Sequence, residues 1–122
     1  MDQKLSRMKE YLEEQAAQCA QARAQLMADH RGDEANFQAI QGNVYGIFST
    51  ILKVAAEQNP DDSQGVEAFF LKKLEEIPAH WVEAREKAAA RGDEIAAHLE
   101  RLKLEAAEDV GCTFRAIWGA KA

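Results

Sequence analysis

The stretch Ala88-Ala89-Ala90-Arg91-Gly92-Asp93-Glu94-Ile95 stops one helix and starts another, and its central tetrapeptide recurs at Arg31-Gly32-Asp33-Glu34. Glycine reaches the left-handed conformation just past a helix end without a Cβ penalty. The aspartate beside it can accept a backbone N–H of the next helix as an N-cap, and the glutamate sits against the positive end of that helix. The arginine suits the preceding C-terminus for the opposite reason. Each copy therefore reads as a stop, a cap and a restart. The sequences around the two copies do not otherwise align, so they are helix punctuation rather than the trace of a duplication. An adhesive Arg-Gly-Asp would need an exposed loop on a secreted chain. The opening Met1-Asp2-Gln3-Lys4-Leu5 runs straight into a polar, periodic segment rather than a signal peptide.

Working outward from the two reversals, apolar residues recur at spacings of three and four. The first helix is expected from about Asp2 to His30, with Leu5, Met8, Leu12, Ala16, Cys19, Ala22 and Leu26 on one face. The second is expected from about Asp33 to Glu57. Phe37, Ile40, Val44, Ile47, Ile51 and Ala55 form its core stripe, with Phe48 and Leu52 beside it. A loop follows at Gln58-Asn59-Pro60-Asp61-Asp62-Ser63-Gln64-Gly65. The third helix starts near Asp62 or Ser63 and carries Val66, Phe69, Phe70, Leu74 and Ile77. Pro78 lacks a backbone donor and disfavours helical geometry at Ile77, which predicts a kink or a short break. Beyond it a second segment carries Trp81, Val82, Ala84 and Ala88. The fourth helix is expected from about Asp93 to Trp118, with Ile95, Leu99, Leu102, Ala106, Val110, Phe114 and Ile117 facing inward.

Four segments of similar length, each about 40 Å long at 1.5 Å per residue, imply an all-α, up-down-up-down antiparallel four-helix bundle. Both Arg-Gly-Asp-Glu reversals then lie at one end and the 58–65 loop at the other. The 122 residues suffice for one domain spanning 1–122. Two prolines, seven glycines and a helix-forming composition agree with long helices and few loops. The same geometry separates the two cysteines: Cys19 falls about 20 Å and Cys112 about 30 Å from the reversal end. That offset exceeds the roughly 7 Å limit for bridged Cα atoms, so two free thiols are expected.

The formal net charge is −6, without a basic run, which argues against a phosphate-tracking nucleic-acid surface. The longest apolar run, Val44 to Ala56, is interrupted by Gly46, Ser49, Thr50 and Lys53 and falls short of a membrane span. A cytoplasmic chain with no cofactor is expected. No zinc-type Cys–His cluster, Gly-rich phosphate loop or nucleophile with a base is evident in the sequence.

Two acidic constellations deserve naming. Glu83-Ala-Arg-Glu86 is followed by Glu105-Ala-Ala-Glu108, with Asp109 next. Paired i, i+3 carboxylates on antiparallel helices can hold Mg²⁺ for phosphoanhydride hydrolysis. The pattern resembles the all-α nucleotide pyrophosphohydrolases, which pair Glu-x-x-Glu with a later Glu-x-x-Asp, although Glu108 stands where that family has Asp. The resemblance spans 83–109 and implies a Mg²⁺-dependent hydrolase using Glu83, Glu86, Glu105 and Glu108. Separately, Glu94 and His98 lie one turn apart with Glu86 at similar height, a conceivable cation set.

One further feature stands out on the second helix. Ala35, Ala39, Gly42, Gly46 and Ser49 form a stripe of small residues nearly opposite the Phe37–Ile51 face. Two interior glycines cost about 2 kcal/mol relative to alanine. Such a stripe lets another helix backbone approach closely, either the Ala/Gln-rich middle of the first helix or a second chain. Tyr45 flanks it and would anchor a partner there. A pocket beside Trp81, next to the Pro78 interruption, is a third place where a bundle could hold a ligand. The residues specify no family. The expectation is a non-catalytic interaction or assembly module that binds a protein partner or itself through the second helix, with the Mg²⁺ hydrolase as the alternative.

Overall fold

The computed structural model describes residues 2–119. It contains α1 (Asp2–Ala28), α2 (Gly32–Gln58), α3 (Ser63–Ala90) and α4 (Glu94–Trp118) in an up-down-up-down bundle. The closest partnerships are within two hairpins, α1 on α2 and α3 on α4. The hairpins join most closely through α2 and α4, which approach across the diagonal, whereas the backbones of α1 and α3 stay more than 8 Å apart. Among the described residues no helix is long and apolar enough to cross a membrane.

The two reversals are not equivalent. In the second, Gly92 takes the left-handed conformation (φ 76°). Its N–H bonds to the Ala89 carbonyl at 3.1 Å, and the Asp93 N–H bonds to that of Ala88 at 2.9 Å. This is the Schellman pattern, and Asp93 caps α4 by accepting from the Ala96 N–H at 3.0 Å. In the first, the same hydrogen-bond pattern sits two residues earlier: His30 is left-handed (φ 59°), and Arg31 N–H reaches the Leu26 carbonyl at 2.8 Å. Gly32 is already the first residue of α2, whose N-cap, Arg31, makes no side-chain cap. Arg31 instead pairs with Glu34 across the first turn. Asp33 therefore does not have the capping role expected of it, because α1 ends at Ala28 and a histidine can occupy the left-handed region.

This difference predicts opposite responses. His30→Gly should stabilise the fold by about 1 kcal/mol, since glycine removes the left-handed strain. Gly92→Ala should cost about 1–2 kcal/mol for the same reason in reverse. Space plays no part at Gly92, where an added Cβ would meet nothing within 4 Å. Urea unfolding of both variants beside the parent protein reads the two signs.

Pro78 does not divide α3, which runs unbroken from Ser63 to Ala90. A single missing donor frees only the Leu74 carbonyl, and the Ala-, Glu- and Leu-rich neighbours keep the helix going. At its start, Asp62 accepts from the Gly65 N–H at 3.0 Å. At the end of α2, Asn59 returns a side-chain hydrogen bond to the Ala55 carbonyl at 3.0 Å.

The core is concentrated at the end carrying the α2–α3 connection, which is only residues 59–62 rather than the expected 58–65. Its largest fully buried side chains are Phe48, Phe70, Phe114, Met8, Leu12, Val44, Val66 and Val110. Phe114 stacks on both Phe70 (centroids 4.2 Å apart) and Trp118 (4.4 Å), and Phe48 leans on Phe70 at 5.9 Å. The Trp118 indole N–H donates to the Ser63 carbonyl at 3.2 Å, so the polar edge of this stack is satisfied. Toward the reversal end, Ala35 and Ala88 alone among the described residues are fully buried.

Several inward-facing expectations need correcting. Ile95 is 73% exposed, because the reversal end is too thinly packed to cover it, and Val82 of α3, for which no facing was expected, is 44% exposed there too. On α2 the stripe is rotated. Tyr45 and Phe48 are buried while Ile47 is 39% exposed. The cause is that α2 packs on all three other helices, and the α1 contact draws its small-residue side inward.

Candidate binding cleft

Neither acidic constellation is assembled. Among the described residues no group of three or more His, Cys, Asp or Glu side chains could hold a metal ion. Measured from Gly92, Glu83 and Glu86 lie about 9–14 Å along α3, but Glu105 and Glu108 lie about 20–24 Å along α4. Glu83 pairs instead with Lys87 at 2.9 Å, which lowers its carboxyl pKa. His98 meets the Phe37 ring edge to face at 5.0 Å, and its Nδ1 lies 2.6 Å from Arg101 Nη2. It is thus engaged by groups other than Glu86 and Glu94.

The small-residue stripe divides into two parts. Ala35 is buried, and a Cβ at Gly42 would lie 3.2 Å from that of Cys19, so this half accommodates α1. Gly46 is exposed, and an added Cβ there would meet nothing within 4 Å. Tyr45 is only 7% exposed and points into the bundle. Its hydroxyl donates to Asp109 Oδ2 at 3.1 Å, and the Tyr11 hydroxyl donates to the same oxygen. The two rings meet edge to face at 6.3 Å. Burial pushes both phenol pKa values well above the ordinary tyrosine range, and the Asp109 carboxylate pushes them further. Both hydroxyls therefore remain donors, and Asp109 links α4 to α1 and α2. Cys19 is half-buried and Cys112 exposed, and neither is bonded to the other.

One concavity lies beside Trp81, between α2 and α3 and floored by α4. It encloses about 410 Å³, within the range of small-ligand sites. Ile40, Asn43, Val44 and Ile47 of α2 form one wall, Trp81 of α3 the other, and Ala96 and Leu99 of α4 part of the floor. Glu100 and Lys103 supply the polar part of that floor. Lys103 Nζ donates to Glu100 Oε1 at 3.2 Å and lies 5.9 Å from the Trp81 ring centroid. Glu100 Oε2 is buried without a hydrogen-bond partner. Helical spacing drew attention to Trp81, but not to Glu100 or Lys103. Glu100 follows Leu99 in the inward stripe, and that adjacency was the available signal.

The chain matches no protein-family model, and comparisons with curated proteins and with solved structures likewise found no match. The fold and the cleft define the class, an all-α four-helix bundle with an aromatic-walled groove.

Proposed function

We propose that this chain is a non-catalytic helical binding module whose partner occupies the cleft beside Trp81. The observation that carries this reading is the combination of open apolar walls, one aromatic face and a small convergent polar floor, the usual make-up of a ligand pocket. A neutral apolar fluorescent dye, Nile red, should bind the folded protein saturably at one site. Ile47→Glu puts a charge on the half-exposed rim and should weaken that binding at least about tenfold, a change of about 1.4 kcal/mol. Unchanged dye affinity in a normally folded Ile47→Glu protein would refute the reading.

The outward face of α2 supports a second reading, self-association of the module. Gly46 lies in mid-helix, where glycine costs about 1 kcal/mol relative to alanine, and no contact within the chain requires it. A second copy packed over Gly46 would account for that residue. Sedimentation of the parent protein beside Gly46→Leu tests this, and two equally stable monomers would rule it out.

A further inference from the structure

We infer that the groove between α1 and α2, beside Lys9 and Lys53, is a second site and takes a small amphiphilic carboxylate, its hydrocarbon chain along the apolar floor and its head between the two ammonium groups. The site goes beyond the Trp81 cleft and shares no lining residue with it. The groove encloses about 310 Å³. Leu5 of α1 and Leu52 and Ala56 of α2 line it with hydrocarbon, and Lys9, Lys53 and Ser49 line it with polar groups. The stretch from Ser49 to Ala56 spans about 10 Å of helix, room for a chain of several carbons.

Charge complementarity selects the head group. The chain carries a formal net charge of −6, so carboxylates outnumber the ammonium groups they could pair with. Lys72, Lys73, Lys87 and Lys103 each pair with a glutamate, and Lys4 donates to the Trp118 carbonyl. Lys9 and Lys53, alone among the described lysines, make neither an ion pair nor a hydrogen bond. Both are exposed, so their ammonium groups are open to a ligand, and both line this one groove. Glu13 and Glu57 follow them by four residues, but a lysine N-terminal to its glutamate is the weaker order for a helical pair. A carboxylate held by both lysines gains two charge-assisted hydrogen bonds. An ammonium head is repelled by both lysines, and an alcohol head leaves their charge uncompensated.

The test compares octanoate, 1-octanol, octylammonium and butyrate. Binding is followed by the backbone amide shifts of Ser49, Lys53 and Ala56 in nitrogen-resolved NMR spectra. Octanoate should move these amides and bind at least about fivefold more tightly than 1-octanol, the scale that two exposed ion pairs supply. Butyrate keeps the head and loses four methylenes, so it should bind at least about tenfold more weakly than octanoate. Lys9→Met and Lys53→Met retain the apolar stems and leave the core untouched. Each should weaken octanoate about two- to threefold, and the double variant should erase the preference over 1-octanol. Equal affinity for octanoate and 1-octanol, or for octanoate and octylammonium, would overturn the inference. So would butyrate matching octanoate, which would make the groove a charged surface without an apolar site. Octanoate shifts confined to the Trp81 cleft would overturn it equally. Ile47→Glu lies outside this groove and should leave octanoate affinity unchanged. Loss of the dye with octanoate retained therefore removes the Trp81 reading alone, and the converse removes this one alone.

Discussion

Phe114→Ala is expected to destabilise the protein by about 3–5 kcal/mol, the range for truncating a buried phenylalanine. The side chain is fully buried at the point where the stack of Phe70, Phe114 and Trp118 joins α3 to α4. Truncation loses the transfer free energy of the ring and leaves a cavity bounded by flat aromatic faces, which cannot close over it without tilting. Typical domains have total stabilities of about 5–15 kcal/mol, so the loss would be a large fraction of the whole. Phe114→Leu keeps most of the volume and should cost clearly less. Urea unfolding followed by far-ultraviolet circular dichroism gives both values, and a Phe114→Ala cost below about 1 kcal/mol would contradict the placement of the core.

The second large effect is an asymmetry along α1. Leu12→Ala should cost about 2–5 kcal/mol, whereas Leu26→Ala should cost about 1 kcal/mol or less. Leu12 is fully buried in the same cluster as Met8, Val110 and Phe114. Leu26 is only half-buried, in the turn before the chain reverses at His30. The sequence between them, Gln15 to Gln25, offers alanine, glutamine and arginine around Cys19 and hence little apolar area to bury. Amide exchange should show the same gradient. The last two turns of α1 should exchange through local opening, and residues 8–12 only through global unfolding. Equal costs at Leu12 and Leu26, or uniform protection along α1, would mean that the packing is even from end to end.

The bundle itself was legible in the sequence because its signals are local. Spacings of three and four, two glycine–aspartate reversals and one polar loop each act within a turn or two of chain. Helix ends came out within about two residues for the same reason. The exception is the first reversal, where His30 rather than Gly32 turns the chain. A local reading had to prefer glycine there, and the choice depended on where α1 stopped packing on α2.

Facing was less legible than helix position. On α2 the large apolar residues spread over a wide arc, and spacing centres the inward face on Phe37–Ile51. The contact with α1 turns that face toward Ala35, Gly42 and Tyr45. Ile47 was left at the rim of the cleft as a result. Periodicity alone places Ile95 inward, which assumes that a neighbouring helix is present at every height.

By itself, then, the sequence determined four helices, their order and their antiparallel course, because helix formation and capping depend on neighbours a few residues apart. Only the tertiary structure decided which sides of α2 met α1, that Tyr11 and Tyr45 share Asp109, and that Glu100 and Lys103 lie under Trp81. Those pairings join residues distant in sequence. Their geometry follows from the offset of the two hairpins, which brings α2 and α4 together and keeps α1 and α3 apart.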